Sequence, residues 1–229
     1  MLQKLKVAAV AVVAAGLLGL GGASSAQAFN VGTHAAPIGS GSMAVTANAG
    51  ASRLVINGSL PFSCTTTAGA GVINAGAFPN VYPQAVGTVQ PSFSSCTWAL
   101  GLAFTVSCAS TSNLQVTATS PAHPATLGTV AGRITGISCL ITFELGCTAT
   151  ATGTVPVSYR NGNGSTIGAT LTVLIAGQSL VVSGSTCPAA VLPNGTAQFG
   201  APGSGSGTAL TNLTYNVGGA ISGHPYISD

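Results

Sequence analysis

The sequence predicts an all-β protein, a single-domain antiparallel β-sandwich or barrel with about three disulfides. Three observations carry that expectation. Apolar and polar side chains alternate over several runs, no apolar spacing of three and four persists beyond residue 28, and six cysteines share the same part of the chain. Many short alternating runs separated by Gly, Pro and Asn turns pack as two facing sheets or as one closed sheet.

Residues 1–28 of the 229 read as a secretory signal peptide. Lys4 and Lys6 form a positive n-region, Val7 to Leu20 an apolar h-region, and Ala26-Gln27-Ala28 an A-x-A cleavage site. Cleavage is expected to leave residues 29–229 as one secreted domain. That part has no lysine, three arginines (Arg53, Arg133, Arg160) and two acids (Glu144, Asp229), so the basic balance of the whole chain belongs largely to the leader. Leu, Ile, Val and Phe make up about 24 % of residues 29–229, above the roughly 20 % floor associated with disorder. The chain can therefore bury a core.

So little charge excludes whole classes of function. Nucleic-acid binders displace counterions with many lysines and arginines, and three scattered arginines cannot do so. Glycosidases ordinarily need two carboxyl groups astride the scissile bond, and one of the two here is the terminal residue. Calcium and magnesium cages need several oxygen ligands, carboxylates among them. No cofactor is expected. No run of about 18 apolar residues follows the leader, so no transmembrane span is expected.

The alternation places the strands. Leu54, Ile56, Gly58, Leu60, Phe62 and Cys64 share one parity, with mostly polar residues between them. Asn57-Gly58 fits a two-residue hairpin turn, but such a turn would pair Ile56 with Ser59 and bring Ser59 and Pro61 to the core face. Unbroken parity predicts one long strand, bulged at Gly58. Leu100, Leu102, Phe104, Val106 and Cys108 form a second inward row. Leu114, Val116 and Ala118 form a third, joined to the second as a hairpin through the Ser/Thr-rich 109–113. Ile137, Cys139, Ile141 and Phe143 continue the pattern after a bulge at Thr135-Gly136.

The most regular run has Cys147, Ala149, Ala151, Gly153, Val155, Val157 and Tyr159 inward. Thr148, Thr150, Thr152, Thr154, Pro156, Ser158 and Arg160 face outward, and Asn161-Gly162 ends the run. Pro156 there predicts an edge or bulged strand. Leu171, Val173 and Ile175, then Leu180 to Val182, then Leu213, Tyr215 and Val217 supply later strands.

Cys64, Cys96, Cys108, Cys139, Cys147 and Cys187 lack the close pairs or histidine spacing of a zinc site, so three disulfides are expected. Six cysteines allow 15 arrangements. Their places on the strands favour Cys64 with Cys96, Cys108 with Cys139, and Cys147 with Cys187.

Several of these stretches resemble actinobacterial exported proteins of about this length: Phe93–Trp98 (FSSCTW), Gly101–Val106 (GLAFTV), Gly132–Ile137 (GRITGI), Gly146–Gly153 (GCTATATG), Tyr159–Gly162 (YRNG) and Asn194–Phe199 (NGTAQF). The resemblance implies a secreted β domain with bridges at Cys64, Cys96, Cys147 and Cys187. Cys108 and Cys139 are additions to that pattern, a further reason to pair them. It implies no activity and no catalytic residue.

Candidate chemistry is sparse. No G-x-S-x-G pentad occurs, and a Ser-His-acid arrangement would have to use Glu144 as its acid. His34 lies near the new N-terminus, and His123 and His224 each precede proline, which favours extended loop backbone. Trp98, with Tyr82, Tyr159, Tyr215 and Tyr226, could stack on sugar rings, but Trp98 shares parity with Cys96, so burial beside a disulfide is the expectation. The row Thr148, Thr150, Thr152, Thr154 could bind an ordered surface such as ice or a crystalline polysaccharide, or serve only as an uncharged solvent face. Asn57, Asn163, Asn194 and Asn212 head N-x-S/T sequences, which matter in a glycosylating host.

The function expected is that of a secreted, non-enzymatic extracellular or cell-surface protein. Its nearly uncharged exterior of Thr, Ser, Asn, Gln and Gly would be structural or adhesive, meeting cell-wall polysaccharide, another polymer or copies of itself. The alternative is a small extracellular hydrolase using Glu144 or a serine-histidine pair.

Overall fold

The computed structural model describes residues 29–33, 41–79, 81–98, 100–109, 112–118, 128–205, 207–218 and 224–228. The expected leader (1–28), His34, His123 and Asp229 lie outside them. The described residues form β1 (Phe29–Thr33), β2 (Gly41–Ala49), β3 (Ser52–Ile56), β4 (Leu60–Phe78), β5 (Gln84–Trp98), β6 (Ala103–Cys108), β7 (Ser112–Ala118), β8 (Thr129–Phe143), β9 (Thr148–Arg160), β10 (Thr170–Val173), β11 (Ser179–Ser183), β12 (Gly195–Pro202), β13 (Leu210–Thr211), β14 (Leu213–Val217) and β15 (Pro225–Ser228). The class is the one expected, all-β with antiparallel pairing.

The strands close on themselves. Four long strands, β4, β5, β8 and β9, run through both levels, and the gaps between them are filled by shorter strands placed end to end. Between β5 and β8 lie β6 at the upper level and β7 at the lower. From β9 back to β4 the upper route is β11, β12, β3 and the lower route is β10, β14, β2. Pairing of β4 with β5 completes both rings, giving an eight-position barrel.

Several local expectations need correcting. Residues 54–64 are a hairpin, not one bulged strand. Ile56 pairs with Leu60, Leu54 with Phe62 and Ser52 with Cys64, so the loop is Asn57-Gly58-Ser59. A three-residue loop pairs residues of equal parity, which is why alternation runs through the turn unbroken. Asn57 and Gly58 have φ of 50° and 69°, and the Ser59 N–H donates to the Ile56 carbonyl at 3.1 Å, as a primed turn requires.

Leu100 is not inward but 75 % exposed, at a turn closed by the Gly101 N–H on the Trp98 carbonyl. β6 and β7 are not a hairpin, because both pair with the same two long neighbours and follow one another along the barrel. Nor is β9 an edge. Pro156 falls between Thr154, paired with β11, and Val157, paired with β10. A residue without an N–H fits where the neighbouring strand changes.

Other expectations stand. The register of β8 against β9 shifts between Ile134 and Ile137, at Thr135-Gly136. Ala149, Ala151, Val155, Val157 and Tyr159 are buried along β9. The disulfides are Cys64–Cys96, Cys108–Cys139 and Cys147–Cys187. The first two join residues directly opposite on paired strands, and the third ties the start of β9 to the chain beyond β11.

Trp98 is buried, stacked on Phe62 with ring centroids 6.4 Å apart, and Phe62 meets Phe104 and Phe143 edge-on. At the other end, β1 and β15 pair and bring Val31 and Ile227 against Ile73, Val86, Val116, Val130 and Tyr159. Asn161, fully buried, holds that closure in place. Its Nδ2 donates to the Ile227 carbonyl at 2.7 Å and its Oδ1 accepts the Ile227 N–H at 3.1 Å, imitating a strand pair.

The β4–β5 seam admits no side chain at two positions. A Cβ on Gly71 would lie 2.2 Å from the Thr88 carbonyl oxygen, and one on Gly87 would lie 2.2 Å from that of Val72. Gly87→Ala should therefore destabilise by roughly 2–3 kcal/mol through forced strand separation. Gly50→Ala, where nothing lies within 4 Å of the added Cβ, should change stability by no more than about 0.5 kcal/mol. Equilibrium denaturation of the two variants measures the difference.

Candidate functional surface

Alternation along a closed sheet sorts side chains into two environments. Apolar residues fill the barrel, and Ser and Thr, with Ala, Gly, Asn and Gln, make up most of its outer face. No helix among the described residues is long and apolar enough to cross a membrane.

The most regular outer face lies on the upper halves of β8 and β9 with β6 and β11 beside them. Thr142, Leu140 and Ser138 on β8 stand opposite Thr148, Thr150 and Thr152 on β9. On the far side of β9, Ser183, Val181 and Ser179 stand opposite Thr150, Thr152 and Thr154. Thr105 and Ser107 extend the face from β6, and Thr196 from β12.

Successive outward residues on a strand are about 6.6 Å apart and neighbouring strands about 4.8 Å. The threonines are thus part of a two-dimensional array of hydroxyl and methyl groups with no charge in it. The Thr row of β9 is half-exposed, while Thr105, Ser107, Ser179, Ser183 and Thr196 are exposed. Two apolar side chains stand among them, Leu140 at 45 % and Val181 at 44 % exposure. The sequence marks the Thr row on β9; its neighbours come from strands distant in sequence and become visible only through the register.

Among the described residues, Glu144 and His224 are not brought together. Glu144 is exposed in the tight turn between β8 and β9, where the Gly146 N–H donates to the Phe143 carbonyl at 2.9 Å. His224 is buried near the other end of the barrel. Its Nδ1 accepts the Ala169 N–H at 3.1 Å, and its ring packs against Gly168. The 13 residues of β9 separate these two ends, a span on the order of 40 Å.

The arginines are also apart. Arg53 binds the Ser63 hydroxyl and the Ala209 carbonyl, Arg133 binds Gln115 Oε1 at 2.8 Å, and Arg160 is exposed at the end of β9. Among the described residues no group of three His, Cys, Asp or Glu side chains could hold a metal ion.

The asparagines of the N-x-S/T sequences have local structural work. Asn163 Oδ1 accepts the N–H groups of Ser165, Thr166 and Ile167, Asn194 Oδ1 that of Ser185, and Asn212 Oδ1 that of Ile175. Asn57 Nδ2 donates to the Asn194 carbonyl. These side chains shape the loops between strands.

Among the described residues, the buried Tyr159 and Tyr215 carry the marked electrostatic signature. Loss of solvent pushes both phenols above the ordinary tyrosine range. The folded chain therefore keeps protons that the unfolded chain releases, and stability should fall as pH rises past about 10, the value of an unburied phenol. Urea midpoints should hold steady below that pH and drop above it, and Tyr159→Phe should flatten the drop.

Comparison with family models, with curated proteins and with solved structures returns no match.

Proposed function

We propose that this is a secreted, non-enzymatic protein of the extracellular space or cell surface, structural or adhesive in role. Its contact surface is the Ser/Thr face of β6, β8, β9 and β11. The observation that carries this is the array itself: uncharged, regularly spaced and mounted on strands paired on both sides.

Such a face can meet an uncharged polymer, cell-wall polysaccharide foremost, or another copy of itself, without desolvating any ion. Methyl groups supply apolar contact and hydroxyls donate or accept hydrogen bonds. Three disulfides support an oxidising, extracellular setting.

Co-sedimentation with purified cell walls, chitin and cellulose, together with analytical ultracentrifugation, tests this. The expected result is retention on at least one polymer or concentration-dependent self-association. Thr152→Lys, which puts a charge at the centre of the array, should weaken it at least tenfold. A protein that stays monomeric at high concentration and binds none of the three contradicts the proposal.

A further inference from the structure

The interior of the barrel is incompletely filled. A cavity of about 120 Å³ lies in the lumen, walled by side chains from both levels of the barrel. Leu54, Val89, Phe93, Ile137, Leu171 and Phe199 point into it, and each is only partly buried. For an inward-facing side chain, that remaining exposure is cavity wall.

The wall is almost wholly hydrocarbon. Two of its side chains carry a hydroxyl, Ser52 and Tyr215, and both are buried; the Ser52 hydroxyl accepts a hydrogen bond from Thr67 Oγ1 at 2.5 Å. A water molecule inside needs two to four polar partners, and this wall does not offer them. Apolar cavities of roughly 150 Å³ stay dry and take up benzene or xenon.

We propose that the lumen is a binding site for a small hydrocarbon, an uncharged apolar molecule of about benzene's size. The driving force is transfer of apolar surface from water into a dry space whose lining already lacks contact atoms on one side. Strands β1 and β15 close the lower end of the barrel, and shape and polarity decide what the lumen takes up. A hydroxyl-bearing analogue of equal size is disfavoured, because the wall presents almost no polar surface to it and the Ser52 hydroxyl is already bonded to Thr67. The site does not depend on the outer face, so either proposal can fail without the other.

The test is an NMR or calorimetric titration of the full folded protein with benzene and, separately, phenol. Saturable one-to-one binding of benzene is expected, with phenol at least tenfold weaker. Ala151→Leu, which fills the cavity from β9, should weaken benzene binding at least tenfold, and Ala47→Val does the same from β2 should the first variant not fold. Xenon bound to the unsubstituted protein, followed by its NMR shift, should be displaced by benzene. Absence of saturable benzene binding, equal affinity for phenol, indifference to both filling variants, or xenon that benzene does not displace would each overturn the proposal.

Discussion

The pairing of β4 with β5 is the constraint on which the rest of this protein depends. Without it the strands would form an open sheet. With it, both levels become closed rings, from Phe62 opposite Trp98 down to Ile73 opposite Gly87. An open sheet edge invites pairing with another chain, and proteins commonly blunt such edges with lysine or other charges. Residues 29–229 contain no lysine and only five charged side chains. Closure replaces charge as the protection against edge-to-edge association, and the Cys64–Cys96 bridge lies on that seam.

Closure also separates the two surfaces proposed to bind. Each strand of the barrel sends alternate side chains inward and outward, so a hydroxyl array and a hydrocarbon lumen come from alternate residues of the same strands. Along β9, Thr150 and Thr152 belong to the outer array while Ala151 between them lines the cavity. Small inward residues such as Ala47, Gly69 and Ala151 leave the lumen short of atoms. The scarcity of charge also leaves the outer face able to approach an uncharged surface without desolvating an ion.

Legibility in the sequence followed side-chain size. β9, with threonine, alanine and valine in strict alternation, and the bulge in β8, where a glycine breaks a run of large apolar residues, were both readable, and so were the three disulfides. The second half of β4, Ala68 to Gly76, was not, because alanine and glycine give alternation no amplitude. There the inward parity also changes: Phe62 and Cys64 are buried on one side of Thr65-Thr66, Thr67 and Ile73 on the other, and Ser95 opposite has φ of 47°.

The hairpin at Asn57-Gly58 misled for the opposite reason, since its odd loop kept the alternation intact. The end-to-end placement of β6 and β7, and the neighbours of the Thr row, depend on pairings between distant strands that no local pattern encodes.

Native-state hydrogen exchange tests closure most directly. If the β4–β5 seam closes the barrel, the paired amides of β4, β5, β8 and β9 exchange only through global unfolding, with one common free energy that matches the value from denaturation. Amides along β4 and β5 that exchange at a clearly lower free energy, while β8 and β9 stay protected, would show a sheet that opens at this seam and would contradict the account.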